Sequence, residues 1–436
     1  MGMLKRVLVT LNTAGKTIPL NIKQIKINLL RRNNMPSTDL SPSHPLTILN
    51  TNPPPGVQTP PNRFILFGSQ WFKLQNYITQ ALQLPINQGS WDSKYGDFSN
   101  QQMVTNCLNA MTNVHNLSAD FGDPSILKTK ICRNPNYLLT PKPPTEIYGH
   151  IVWLANQISN TAGTFSYTLA SLKDLIGPAA GTPQQRADNL KLILVGDGGL
   201  ASMADDMKKK TSALLAKLLA FEKKLTDANE QIVKYAGSSS DILTEANRLV
   251  GELTVQIDAT KTAMDAAYKK WRDLTIAAVV AAVGIMILTG GLLWPVALAV
   301  GGSLGAAAAM ARHNYNNLCD ELKKQKEDKT KKTQLVTDLT GLNASVALVS
   351  PAMTEFISSL QAIEGVWTDV SMNLAYIVNN YGVDQLGNLT WVMQAMKIMD
   401  AQNKWGDIKS TTQQFTQNSL VSYEFTRFGE ALPKAA

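Results

Sequence analysis

The stretch that decides how this chain reads is LTIAAVVAAVGIMILTGGLLWPVALAVGGSLGAAAAMA, residues 274–311, framed by Asp273 and Arg312. It is 38 residues long and carries no charge. As one helix it would measure ~57 Å, nearly twice the ~30 Å hydrocarbon core of a bilayer. Thr289, Gly290, Gly291 and Pro295 supply a reversal in its middle, so the run reads as a hairpin with arms of 15 and 20 residues. Leu274, Val279, Val283 and Ile287 sample the first arm. Leu292, Trp294 and Leu298 sample the turn and the second arm, and an indole at the turn suits a membrane interface. Leu, Ile and Val account for 14 of the 38 positions. At ~0.3–0.6 kcal/mol each they favour insertion by roughly 4–8 kcal/mol. Gly and Ala account for 17 positions. Gly301 and Gly305, with Ala309 four residues further on, give the small-residue spacing that lets membrane helices approach closely.

Three fates fit such a run: a buried core hairpin, a permanent membrane hairpin, or a hairpin that inserts conditionally. The flanks are strongly polar, and the remainder of the chain has the character of a soluble protein. Those two features favour conditional insertion.

Before the run, Leu214, Leu218, Phe221, Leu225, Ala228, Ile232 and Tyr235 step by four and three. The phase resumes at Ile242, Ala246, Leu249 and Leu253, then at Met264, Ala267, Trp271 and Leu274. Such a heptad-like stripe predicts one helix over 200–273, ~110 Å long, with a weak point at Gly237–Ser240. After the run, 312–350 predicts a return helix, Pro351 the start of a third over 352–381, and 384–432 the last of the bundle. Met393, Met396 and Met399 read as core filler. Upstream, helices are expected over 64–84, 100–119 and 146–176, with 120–144 broken by prolines. The expected fold is therefore mainly α: an elongated long-helix bundle at 62–432, with the apolar hairpin as its head.

The N-terminus differs. Residues 1–35 alternate apolar and polar around Asn12–Lys16, which predicts a small β-like segment. They lack the uninterrupted apolar core and small-residue cleavage site of a standard secretory signal. Residues 36–61 hold eight prolines and read as an extended linker, a natural place for cleavage.

Composition narrows the function classes. The chain has 436 residues, 44% hydrophobic and 17% charged, which excludes a disordered chain. Its net charge of +8 sits in the N-terminal segment: residues 1–38 hold seven basic residues and no acid. The body is balanced, which argues against a nucleic-acid partner. Three cysteines without a CxxC pair and four scattered histidines give no metal-ligand spacing, and nothing in the sequence calls for a cofactor. Residues 194–199, LVGDGG, read as a loop rather than a nucleotide site. No nucleophile elbow is present, so an enzyme is not expected.

Two long antiparallel helices joined by one apolar hairpin, with further helices alongside, resemble the cytolysin A-type α-helical pore-forming toxins. Relatives in that superfamily include tripartite haemolysin and enterotoxin components and helical insecticidal proteins. The resemblance covers about residues 146–432 and rests on architecture. It implies a soluble form that converts to an oligomeric pore in a target-cell membrane, the hairpin meeting lipid and copies of the chain forming a ring. It also implies an insecticidal or haemolytic role, and leaves room for a second toxin component or a receptor. The hairpin could be stored as helices or as a β-tongue. The competing reading is a non-lytic coiled-coil scaffold anchored to a membrane by the same hairpin.

Overall fold

The structure is a computed structural model; it describes residues 36–43, 46–49, 62–95, 98, 100–134, 136–250, 260–271, 310–320 and 331–419. Two short strands, β1 (Thr47–Leu49) and β2 (Asn62–Phe64), pair antiparallel with Ile48 opposite Arg63. Among the described residues, helices α1 to α12 follow. They are α1 (Ser69–Ala81), α2 (Gln88–Tyr95), α3 (Gln101–Phe121), α4 (Pro124–Arg133), α5 (Ile147–Leu175) and α6 (Pro183–Val195). Then come α7 (Leu200–Ala236), α8 (Asp241–Val250), α9 (Lys331–Asn380), α10 (Val383–Leu386), α11 (Leu389–Ala395) and α12 (Ile398–Asn418). Residues 260–271 and 310–320 are also helical. The expected β-like segment at 1–35 lies outside the described residues; the observed strand pair is a different one, joining 47–49 within the linker to 62–64 just after it.

Polar contacts fix the helix directions. Along α7, Ser212 meets Glu364, Glu222 meets Thr354 and the Ala236 carbonyl meets Asn343, so α9 runs antiparallel to α7. Likewise α12 runs antiparallel to α5, through Ser166 with Gln402, Ser159 with Lys409 and Tyr148 with Ser419. α3 lies against α7, with Phe121 beside Phe221 and Asn113 bonded to Gln231. The apolar stripe is the reason: Leu214, Leu218, Phe221, Leu225, Ala228 and Ile232 are all buried on one side of α7.

Aromatic knots divide this single core. One joins Phe165, Trp367 and Trp405. A central one joins Trp71 with Tyr148, Phe356 and Phe415. A third joins Trp91, Tyr95 and Phe98.

Three expectations need correction. The helix expected over 200–273 is interrupted: α7 ends at Ala236 and α8 begins at Asp241. Ser240 caps the new start, its Oγ accepting from the Leu243 N–H at 3.4 Å. Asn343 of α9 donates to the last carbonyl of α7 at 2.7 Å, satisfying an otherwise orphaned acceptor. A Cβ at Gly237 would lie 2.0 Å from the Val233 carbonyl oxygen. Gly237→Ala should therefore cost about 1–2 kcal/mol, read as a lowered urea midpoint at unchanged slope; an unchanged midpoint would show that the break is not built on this glycine.

The second correction concerns Pro351, which lies inside the 50-residue α9 rather than at a helix start. Pro removes the bond to the carbonyl of Ala347. Both residues are exposed, so water can solvate that carbonyl, while Val346, Val349, Ala352, Met353 and Phe356 hold the inner face. Third, Met396 is buried and Met393 packs against the core, but Met399 is 61% exposed and fills nothing. Lys397, in the left-handed region at φ 48°, separates it from the other two.

The linker also has structure. Ser37 N–H donates to Asn373 Oδ1 (2.8 Å), Leu40 N–H to the Met396 carbonyl (3.3 Å), and Trp405 Nε1–H to the Leu40 carbonyl (3.0 Å). Asp39 pairs with Lys397 at 2.9 Å. Burial raises the Asp39 pKa, but hydrogen bonds from Lys397 and Ser41 hold it below the usual carboxylate range overall. Residues 36–43 are thus a strap tied to α9 and α12. The domain boundaries at 35 and 61 are a proposal from the sequence; the strap is the first part of the 36–61 linker, and it is held against the bundle by α9 and α12.

Candidate membrane-inserting head and its collar

Every residue singled out in the apolar run, from Leu274 and Val279 through Trp294 to Gly301 and Gly305, lies outside the described residues. What the structure describes is the pair of helical segments that lead into the run and out of it. The stripe continues through the first: Met264, Ala267 and Trp271 are buried, as are Ala311, Tyr315 and Cys319 on the second. Their aromatic rings meet. Tyr268 and Tyr315 lie 5.6 Å apart by centroid, and Tyr268 and Trp271 5.4 Å apart. Tyr268 also reaches α1, with its hydroxyl 3.4 Å from Asn76 Oδ1. The two segments that flank residues 272–309 in sequence, 260–271 and 310–320, are therefore neighbours in space; this pair is the collar.

Beside the collar, α2 is clasped to the start of α9. Lys94 pairs with Asp338 at 2.7 Å, and the Asp338 side chain is 9% exposed. The Tyr95 hydroxyl donates to the same carboxylate at 2.7 Å, and Gln334 donates to its other oxygen at 2.6 Å. Lys331 and Lys332 donate to the carbonyls of Asp92 and Tyr95 at the C-terminal end of α2, where cations complement the helix dipole. Sequence reading missed this element, although Trp91, Tyr95 and Phe98 at helical spacing were a usable signal.

Towards the middle, the Tyr77 hydroxyl donates to Asn229 Oδ1 at 2.6 Å, and burial pushes its pKa up, so it stays a donor. Burial pushes the Cys107 thiol up to about 12, which leaves it inert as a nucleophile at neutral pH. Among the described residues no three His, Cys, Asp or Glu side chains gather as metal ligands would. By length and composition α9 could itself cross a bilayer; half of its most apolar stretch is buried in the bundle, as in a soluble core helix.

No family model matches the chain, and no curated protein matches it. Among solved structures, it is similar to the HblL1 toxin component of Bacillus cereus at 15% identity and a TM-score of 0.50, over 81% of this chain and 94% of that one. It is equally similar to soluble SmhA of the tripartite α-pore-forming toxin Smh from Serratia marcescens, at 12% identity and a TM-score of 0.50, over 85% of this chain and 95% of that one. At these identities the likeness is one of fold, and it extends over nearly the whole of both structures.

Proposed function

This chain has the fold of α-helical pore-forming toxin components, and on that premise we propose that it is itself a pore-forming cytolysin whose membrane element is the hairpin of residues 274–311. The observation that carries the reading is the collar. In sequence, an uncharged 38-residue run lies between two helical segments that meet through Tyr268 and Tyr315 and bury Met264, Ala267, Trp271, Tyr315 and Cys319. Such a run can move without dismantling the packing of its flanks. In water it stays with the soluble protein. On a target-cell membrane it inserts, because Val283, Leu298 and their neighbours gain more in hydrocarbon than the reversal at Gly290–Gly291 costs. Gly301 and Gly305 let the inserted arms pack, Trp294 sits at the interface, and copies of the chain assemble around the inserted hairpins. The partners are membrane lipid, further copies of this chain, and a second toxin component or receptor. An insecticidal or haemolytic target belongs to the same proposal.

Purified without detergent, the full chain should release dye from lipid vesicles. The scaffold reading expects binding to vesicles without release, so binding alone would replace the cytolysin with the scaffold.

A further inference from the structure

Near the start of α5, His150 is 1% exposed, and among the described residues neither Nδ1 nor Nε2 has a hydrogen-bond partner. Buried side-chain polar atoms in folded proteins nearly always have one, so an imidazole with both nitrogens bare is a costly placement. Its ring stands edge-on to Trp153 with centroids 5.5 Å apart.

The charges around it make a proton there costlier still. On α7, Lys217 repels a cation at His150 and donates to the Thr145 carbonyl at 3.4 Å. Lys210 lies 5.5 Å over the Trp153 ring and pairs with Asp206 at 2.8 Å. From α4, Lys130 pairs with Glu146 at 2.6 Å and holds that carboxyl below its usual range. Asp123 accepts from the Ser125 amide and hydroxyl, and Lys142 in the preceding loop is exposed. Of the described carboxylates named here, Glu146, Asp123 and Asp206 are already engaged, and the Lys217 charge that His150 feels is of the wrong sign for an imidazolium.

We propose that His150 is an acid-sensitive wedge, whose protonation drives α5 away from α7 and loosens the middle of the bundle. The consequence for function, an easier release of residues 274–311, rests on the cytolysin reading; the wedge itself does not.

Burial, with Lys217 adding to it, lowers the His150 pKa from the ordinary 6.5 to about 4. A folded-state value below the unfolded one means that the neutral ring's contribution is intact above pH 6.5. It is lost as pH falls from 6.5 to about 4. Asp39, Glu146 and Asp400 are all held below their usual range, so they stay ionised through the upper part of that window. From pH 7.5 to pH 5, the equilibrium for opening α5 from α7 should rise about 30-fold.

Hydrogen exchange on the full chain, corrected for intrinsic rates, reads this directly. Amides of 147–157 should lose protection about 30-fold at pH 5 in the wild type, and keep it in His150→Phe. An equal acid response in both proteins overturns the wedge. Should His150→Phe not fold, a chain with His44, His115 and His313 all changed to Gln keeps one histidine for NMR titration. A midpoint near 4 supports the wedge, and one near 6.5 overturns it. Dye release from vesicles at both pH values tests the consequence. Release that rises at pH 5 in the wild type alone supports the coupling to the head, and an equal rise in His150→Phe overturns it. No release at either pH, with exchange still dependent on His150, sinks the cytolysin reading and supports the wedge.

Discussion

Val283→Asp combined with Leu298→Asp should abolish vesicle permeabilisation while leaving a soluble, helical protein. Each substitution puts one charge into one arm of the apolar run. At the centre of a bilayer each carboxylate costs ~2.5–3.5 kcal/mol on the insertion scale, so the pair costs roughly 5–7 kcal/mol. The favourable side of the same scale is roughly 4–8 kcal/mol for all 14 Leu, Ile and Val residues of the run. The pair therefore cancels most or all of the driving force, and release should fall by about four to five orders of magnitude. Val283→Ala with Leu298→Ala keeps the arms uncharged and should release dye at close to the wild-type rate. Circular dichroism confirms that both variants fold, and flotation with vesicles separates failure to bind from failure to insert. Wild-type release by the doubly charged variant would remove residues 274–311 from the mechanism and place the membrane contact elsewhere, with α9 the next segment to test.

Where the sequence was legible, one-dimensional periodicity was enough. Leu214 to Ile232, Ile242 and Ala246, and Met264, Ala267 and Trp271 are buried as their spacing requires. The same property hid the break at Gly237–Ser240. Periodicity counts residues and not hydrogen bonds, and here the stripe comes back into phase when α8 starts. Pro351 misled for a related reason. Whether a proline is tolerated depends on which face it occupies, and that is settled by the partners of α9, which are distant in sequence. Met399 followed Met393 and Met396 at a helical interval, but the left-handed Lys397 resets the phase between them. The strap at 36–43 was legible as extended chain, yet its docking site is not a local property. It is set by Asn373, Met396 and Trp405, more than 330 residues away. The head follows the same division. Its composition is plain in 274–311, whereas the collar depends on Tyr268 meeting Tyr315, a contact no local pattern encodes. His150 was visible only as one of four scattered histidines, because the absence of partners is a property of the packed bundle.

Trp71→Ala should be the most destabilising single substitution in the middle of the bundle. Trp71 is fully buried on α1, where α5, α9 and α12 converge on it. Its ring stacks on Tyr148 at 5.2 Å and on Phe356 at 5.6 Å, and meets Phe415 edge-on at 5.2 Å. Truncation removes the largest side chain from a junction of four helices and leaves a cavity that they cannot all collapse to fill. The expected loss is about 3–5 kcal/mol, a large share of the ~5–15 kcal/mol that holds a typical protein folded. Trp71→Phe separates packing from polarity. Among the described residues the indole Nε1–H has no partner, so replacing it with an apolar ring removes a buried orphan donor along with part of the contact area. That variant should lose only ~1 kcal/mol. Urea unfolding of both variants and the wild type gives the two differences. Hydrogen exchange should show the loss concentrated in α1 and the first half of α5, with the Phe165–Trp367–Trp405 knot keeping its protection. Equal losses for Ala and Phe would mean that the knot depends on the indole itself, and that packing around Trp71 is not what joins the two halves of the bundle.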